Sequence, residues 1–293
     1  MRPRRRGRRA AALAAALVAG WWLAGFAAAW TITMPHPGAI PAWSELDGHP
    51  IEPVATTTPD GTALAGWLVA AGDRRTAVVL AAGIRGNRLA MVQRARWYVA
   101  RGITALLVDL RGTGQSDAVR ITMGYAEAFD LLAWHALLQA RGYTAIGAHG
   151  QSLGAAAVVF TAERPLPPRW AFVVLEACYR DIDAALAARL PWLPAWLAWT
   201  AWPLHTCAGW LTGVARSDLV PLRAIERLAA PTLLACGSDD TKVGPDATAR
   251  LFAASPAVPK RRVDVPGTGH TDLWRAGPTL PRALGAWLTE LGH

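Results

Sequence analysis

Cysteine is scarce in this chain, with three in 293 residues. Cys178, Cys207 and Cys236 are odd in number, widely spaced and without a C-x-x-C pair, which excludes a disulfide framework and a thiolate metal site. Buried small hydrophobes are the expected role. His36, His49, His135, His205 and His293 fall in no ligand spacing, so neither a metal nor another cofactor is expected. Internal repeats and low-complexity tracts are absent from the body of the chain. A basic stripe interleaved with aromatics is also missing, although the formal charge is +9. Six arginines before Ala10 account for most of that excess, leaving the rest at about +3, so nucleic-acid binding is not expected.

Charge is absent from two long stretches. Ala10 to Trp30 follows Arg2, Arg4, Arg5, Arg6, Arg8 and Arg9, and basic residues before an apolar run direct a chain into a membrane with its N-terminus inside. A signal peptide cut after Ala27-Ala28-Ala29 fits the small-residue rule. A retained anchor fits the length better, because signal cores run about 7–15 residues and a span needs about 20. Either way the body leaves the cytoplasm. The second stretch, Pro191 to Val214, contains Pro191, Pro194 and Pro203, which disfavour a continuous span.

What is present reads as an alternation of strands and helices. TTTPDGTALAGWLVA carries a hairpin signal at Asp60-Gly61. AVVLAAG, ITALLVDL, TAIGAHG, AFVVLEA, TLLACG and RRVDVPG are short apolar or β-type runs. Helical segments separate them, near 88–102, 125–140, after Ser152, and near 280–291. Strands apolar along their whole length and alternating with helices predict a mostly parallel sheet covered on both faces, an α/β class. More than fifty residues separate AFVVLEA from TLLACG, too long for an ordinary crossover, so a cap or lid is expected there.

The chemistry centres on AHGQSLGAAAVVF. Gly150-x-Ser152-x-Gly154 puts a hydroxyl on a sharp strand-to-helix turn, with glycines giving steric room. The loops after the later strands supply Gly237-Ser238-Asp239-Asp240 and Pro266-Gly267-Thr268-Gly269-His270. Serine, then aspartate, then histidine, each at a strand end, is the order in which a nucleophile, an orienting acid and a base occur in α/β-hydrolases.

On LAAGIRGN, LLVDLRGTGQSD, HGQSLG, LLACGSDD and VPGTGH, from about Thr56 onward, the chain resembles the α/β-hydrolase superfamily, in its serine-aminopeptidase-like and membrane-anchored branch. The resemblance implies Ser152 as nucleophile, His270 as base and Asp240, closing a G-x-x-D pattern, as acid, with Asp239 left open. It implies oxyanion donors at the backbone N–H groups of Leu153 and Ile84. The chain departs from relatives in carrying Ala82-Gly83 where His-Gly is usual, and Ala155 where a second glycine is common. Asp109 and Arg111 match a structural turn. His149 is expected in the core, and Glu176 in a salt bridge or solvated loop.

The implied organisation is 1–30 as basic segment plus membrane anchor or signal peptide, 31–48 as linker, and 49–293 as hydrolase domain with a cap at about 180–218. Trp192, Trp196 and Trp199 are spaced as one face of a helix. Three roles are open for that face: core packing, an apolar lid binding the acyl part of a substrate, or a patch touching lipid headgroups. The expected activity is hydrolysis of a small-molecule or lipid-like carboxylic ester or thioester with an apolar acyl part. An aminopeptidase-like amidase, an acyltransferase, or a tethered binding protein on the same fold are the alternatives. Oligomeric state is left open.

Overall fold

The computed structural model describes residues 3–72, 75–192, 194–244, 246–270 and 273–293. In chain order the helix α1 (Pro3–Thr33) is followed by β1 (His36–Pro37), β2 (Glu45–Leu46), β3 (His49–Thr57), β4 (Ala63–Val69) and β5 (Thr76–Ala81). Then come α2 (Val92–Val99), β6 (Thr104–Val108), β7 (Thr113–Gly114), α3 (Glu127–Ala140), β8 (Ala145–Gln151), α4 (Leu153–Phe160) and β9 (Val173–Glu176). The long insertion after β9 contributes α5 (Ile182–Arg189), a 3-10 segment Ala195–Ala201, and α6 (Trp202–Thr212). The chain closes with α7 (Pro221–Ala224), β10 (Thr232–Gly237), α8 (Ala247–Ala254), β11 (Lys260–Val265) and α9 (Thr279–Glu290).

The main sheet has the order β11-β10-β9-β8-β5-β6-β4-β3-β2. From β6 to β11 every pairing is parallel, whereas β2, β3 and β4 add an antiparallel edge. The hairpin at Asp60-Gly61 joins β3 to β4, and Thr58 N–H donates to the Thr62 carbonyl across it at 3.0 Å. Central strands are apolar on both faces because both faces are covered. In β5, Ala77, Val79 and Ala81 pack with Leu131 and Trp134 of α3 and Val158 of α4. Val78 and Leu80 point the other way, into a core shared with Tyr98 of α2 and Leu284 and Trp287 of α9. All of these side chains are buried, and each buried Val or Leu among them contributes roughly 1.5–3 kcal/mol of transfer free energy.

Residues 31–48, read above as a linker, are tied to the domain. Pro35 stops α1 near Thr33, since the residue before proline avoids helical geometry. β1 then pairs in parallel with β7, and β2 joins the sheet edge.

Helix α1 changes character along its length. Residues 7–20 are exposed all round, whereas Trp22, Gly25, Ala29 and Thr33 form a covered stripe at helical spacing. That stripe packs on α6. Trp21 Nε1–H donates to the Thr200 carbonyl at 2.8 Å, and Trp22 stacks on Trp210 with ring centroids 5.7 Å apart. Gly25 sits so close to α6 that a β-carbon there would lie 2.5 Å from Pro203 Cβ. By length and composition, Gly7–Thr33 is long and apolar enough to cross a membrane.

Candidate active site

Ser152 sits between β8 and α4 with φ 52° and ψ −110°. A non-glycine residue held at positive φ stores strain of order 1–3 kcal/mol. A β-carbon at Gly150 would lie 2.4 Å from Ala155 N, and one at Gly154 would lie 2.3 Å from the Ala81 carbonyl oxygen. The two glycines therefore let the turn close against β5. Ser152 N–H donates to the Glu176 carbonyl at 2.8 Å, fastening the elbow to the end of β9.

Leu153 is the first residue of α4, so its N–H has no acceptor within the helix. The Ala82-Gly83-Ile84 turn abuts the same spot: a β-carbon on Gly83 would be 3.4 Å from Ser152 Cβ. The side chain of Ala82 faces the core, so the departure from His-Gly at this turn alters packing beneath the loop and leaves its backbone N–H groups in place.

The loops after β10 and β11 meet beside the serine. Gly237 permits it, because a β-carbon there would lie 2.0 Å from the Thr268 carbonyl oxygen. His270 Nε2 accepts from Ser152 Oγ at 2.9 Å, and His270 Nδ1–H donates to Asp240 Oδ2 at 2.8 Å. Burial pushes the Asp240 carboxyl up, but the His270 hydrogen bond and charge and the N–H groups of Lys242 and Val243 outweigh it and hold the group below its usual value. Of the two adjacent aspartates, Asp240 faces the imidazole. Asp239 is exposed and accepts from Ser238 Oγ at 2.7 Å. Thr271 and Asp272 lie outside the described residues.

A second histidine–carboxylate pair lies directly beneath. His149 Nε2 donates to Glu176 Oε1 at 2.6 Å, while Nδ1 accepts from the Tyr98 hydroxyl at 3.0 Å. Glu176 also accepts from Arg94 Nε at 2.9 Å, from Arg94 Nη2 and from Trp274 Nε1. Burial pushes Glu176 up, yet the Arg94 charge and the hydrogen bonds from His149 and Arg94 prevail and hold it well below the carboxylate range. Burial pulls His149 down, and Glu176 offsets only part of that. Of the two settings expected for Glu176, the solvated loop is excluded. Sequence reading did not single out Arg94, which looks like any basic residue on an amphipathic helix. Asp109 and Arg111 hold a turn: Asp109 accepts from Arg88 and from Gln115 N, and Arg111 pairs with Asp130 and Asp60.

Two cavities flank Ser152, and Ile84 lines both. One, of about 360 Å³, has apolar walls from Leu153, Leu186, Leu204 and Ala208 together with Ile32 from the end of α1. The other, about 760 Å³, is more polar, with Gln93, Arg94, Lys242, His270 and Arg275 on its walls. The lid expectation for the tryptophan face needs correction. Trp192, Trp196 and Trp199 are exposed and none of them lines either cavity. The physical reason is local: Pro194 breaks the chain between Trp192 and the others, and Ala195–Ala201 winds as a 3-10 segment rather than an α-helix. The insertion's share of the apolar cavity wall comes instead from α5 and α6.

The sheet order, the elbow and the two loops that meet it define an α/β hydrolase. Residues 90–270 match the Prolyl oligopeptidase family. The chain belongs to that family. An uncharacterized protein of Mycobacterium tuberculosis, Rv2307c, is 30% identical over 266 residues, covering 88% of this chain and 86% of its own. The polyketide transferase grgF of Penicillium sp. is 41% identical over 69 residues, covering 23% of this chain and 24% of that protein. Among solved structures, the Pyrococcus furiosus esterase Pf2001 superposes with a TM-score of 0.71 at 20% identity, covering 88% of this chain and 98% of the esterase.

Proposed function

We propose that this protein is a serine hydrolase that cleaves carboxylic ester or thioester bonds of substrates with an apolar acyl part. The observation that carries the reading is the unbroken hydrogen-bonded run Ser152 Oγ, His270 Nε2, His270 Nδ1, Asp240 Oδ2. Serine is a weak nucleophile at its own pKa. His270 Nε2 takes the hydroxyl proton as Ser152 Oγ attacks the acyl carbon. The negative charge that develops on the carbonyl oxygen is met by the N–H groups of Ile84 and Leu153. Collapse breaks the bond to the leaving oxygen or sulfur, which takes the proton from His270, and the acyl group stays on Ser152. A water molecule deprotonated by His270 then releases the acid and restores the enzyme. Asp240 keeps the imidazole in the tautomer with its proton on Nδ1 and stabilises the imidazolium. The acyl part occupies the apolar cavity and the leaving group the polar one.

In the same reading Arg2 to Arg9 stay cytoplasmic, α1 crosses the membrane and residues 49–293 form the catalytic domain outside, with 180–218 as its cap. Membership of the Prolyl oligopeptidase family favours a second reading, amide cleavage by the same three residues. A fluorophosphonate probe should label the wild type and not Ser152→Ala. Paired assays with acyl esters of graded length and with peptidyl anilides separate the two substrate classes. Labelling of a well-folded Ser152→Ala protein would sink the assignment, as would turnover retained in that variant.

A further inference from the structure

The N-terminal helix reaches the substrate cavity. Ile32 and Thr33 line the apolar chamber beside Ser152, and across it stand Leu204 and Ala208 of α6, the helix on which α1 is docked. The end of α1 is clamped there. Arg85 donates to the Thr31 carbonyl at 2.8 Å, Ile121 N–H to the Thr33 carbonyl at 2.9 Å, and Arg120 Nη1 to Thr33 Oγ1 at 3.0 Å. The Arg120 guanidinium also lies over the Trp30 ring, 4.0 Å from its centroid. Two cations at a helix C-terminus also match its dipole.

The outer surface of this unit is apolar. Leu23, Phe26 and Trp30 of α1 are exposed, and so are Trp196, Trp202 and Trp210 of the cap. If the span begins at Ala10, about 20 residues bring its outer boundary near Ala29. With a rise of about 1.5 Å per residue, Trp22 and the cap tryptophans on it lie roughly 10 Å inside that boundary. Interfacial helices bury their apolar face to about that depth, roughly 5–10 Å, and the exposed Trp30 falls at the boundary itself, where tryptophan is favoured.

We propose that α1 is one wall of the acyl site as well as a tether, and that α1 and the cap together dip into the outer leaflet. The acyl chain then passes from the bilayer past Ile32 and Thr33, where the end of α1 meets the cavity, to Ser152. The substrate class is an acyl ester resident in the bilayer that α1 crosses. This deepens the reading above and rests on it.

The test uses the full chain, in phosphatidylcholine vesicles carrying p-nitrophenyl palmitate and, separately, with water-soluble p-nitrophenyl acetate. Gly25→Leu drives a side chain into Pro203 and should part α1 from α6, raising KM for the palmitate ester about tenfold while the acetate ester changes less than about twofold. Ile32→Phe, which needs no rearrangement of α1, should cut turnover of the palmitate ester more than that of shorter acyl esters and so shift the preferred acyl length shorter. Trp192→Ser with Trp196→Ser, both outside the cavity, should lower vesicle turnover several-fold and spare acetate. Equal losses on both esters, or no loss on either across the three variants, overturn the proposal. A wild type that neither reacts with fluorophosphonate nor hydrolyses acetate refutes the hydrolase reading itself, and the proposal falls with it. Melting curves on each variant identify any that fail to fold.

Discussion

Two histidine–carboxylate pairs lie within one shell of Ser152, and they are built alike but placed differently. His270–Asp240 spans 2.8 Å and His149–Glu176 spans 2.6 Å, each with its carboxylate at or just beyond the end of a parallel strand. In the first pair the outer nitrogen faces a serine hydroxyl at the junction of two cavities. In the second it faces Tyr98, and neither ring nor carboxylate has any exposed surface. Glu176 is further neutralised by Arg94, whereas Asp240 is otherwise held by backbone N–H groups. A short histidine–carboxylate contact therefore does not by itself mark a catalytic base. What distinguishes the proposed base is a nucleophile on its far nitrogen and space for a substrate. The inner pair instead clamps β8 and β9 to α2, and so fixes the backbone that strains Ser152.

The largest effect that would sharpen the contrast is on the outer pair. Asp240→Asn should lower kcat by about 10⁴ through the wrong imidazole tautomer, with the fold retained. Steady-state kinetics on purified, melting-checked protein measures it, and activity near wild type would break the comparison. On the inner pair the order of effects reverses. Glu176→Gln leaves the Arg94 guanidinium buried without its counter-charge, so a loss of about 3–5 kcal/mol in stability is expected. Activity per folded molecule should fall far less than in Asp240→Asn. Denaturant unfolding alongside active-site titration with fluorophosphonate separates the two quantities.

A smaller effect concerns pH. Burial lowers the folded-state pKa of His149, so below its unfolded value of about 6.5 the unfolded chain binds more protons than the folded one. The stability it contributes is present above that pH and is lost as pH falls toward the folded value. His149→Gln should be less stable than wild type at pH 7.5, and the gap should narrow by pH 5.5. His135, His205 and His293 are lowered in the same direction and cancel between the two proteins. A gap independent of pH would mean that His149 does not stay neutral in the folded protein. The smallest effect should come from Asp239→Asn, expected within about threefold of wild-type kcat, since Asp239 faces Ser238 rather than the imidazole. A loss comparable to that of Asp240→Asn would reassign the acid.

Much of the site was legible because its signals are local. Gly150, Ser152 and Gly154 lie within one turn, and loops closing on Asp240 and His270 follow runs that read as strands without tertiary information. The inner network was not legible. Arg94 and Glu176 are 82 residues apart, and nothing in either neighbourhood marks them as partners. The choice between adjacent aspartates needed the direction in which each side chain leaves the turn. The lid reading of the tryptophan face failed for a different reason. The spacing of Trp192, Trp196 and Trp199 presupposes an α-helix, which Pro194 and the 3-10 winding of Ala195–Ala201 do not provide.

By itself the sequence determined the alternation of elements, the order of serine, aspartate and histidine at strand ends, and an uncharged stretch long enough to cross a membrane. These follow from periodicity, turn chemistry and composition, which act over a few residues. Only the tertiary structure decided which carboxylate meets the imidazole, which buried charges neutralise each other, and that α1 folds back onto α6 to wall the cavity. Those outcomes depend on contacts between segments far apart in the chain, and the pairing of surfaces that makes them is set by shape and burial rather than by any local pattern of residues.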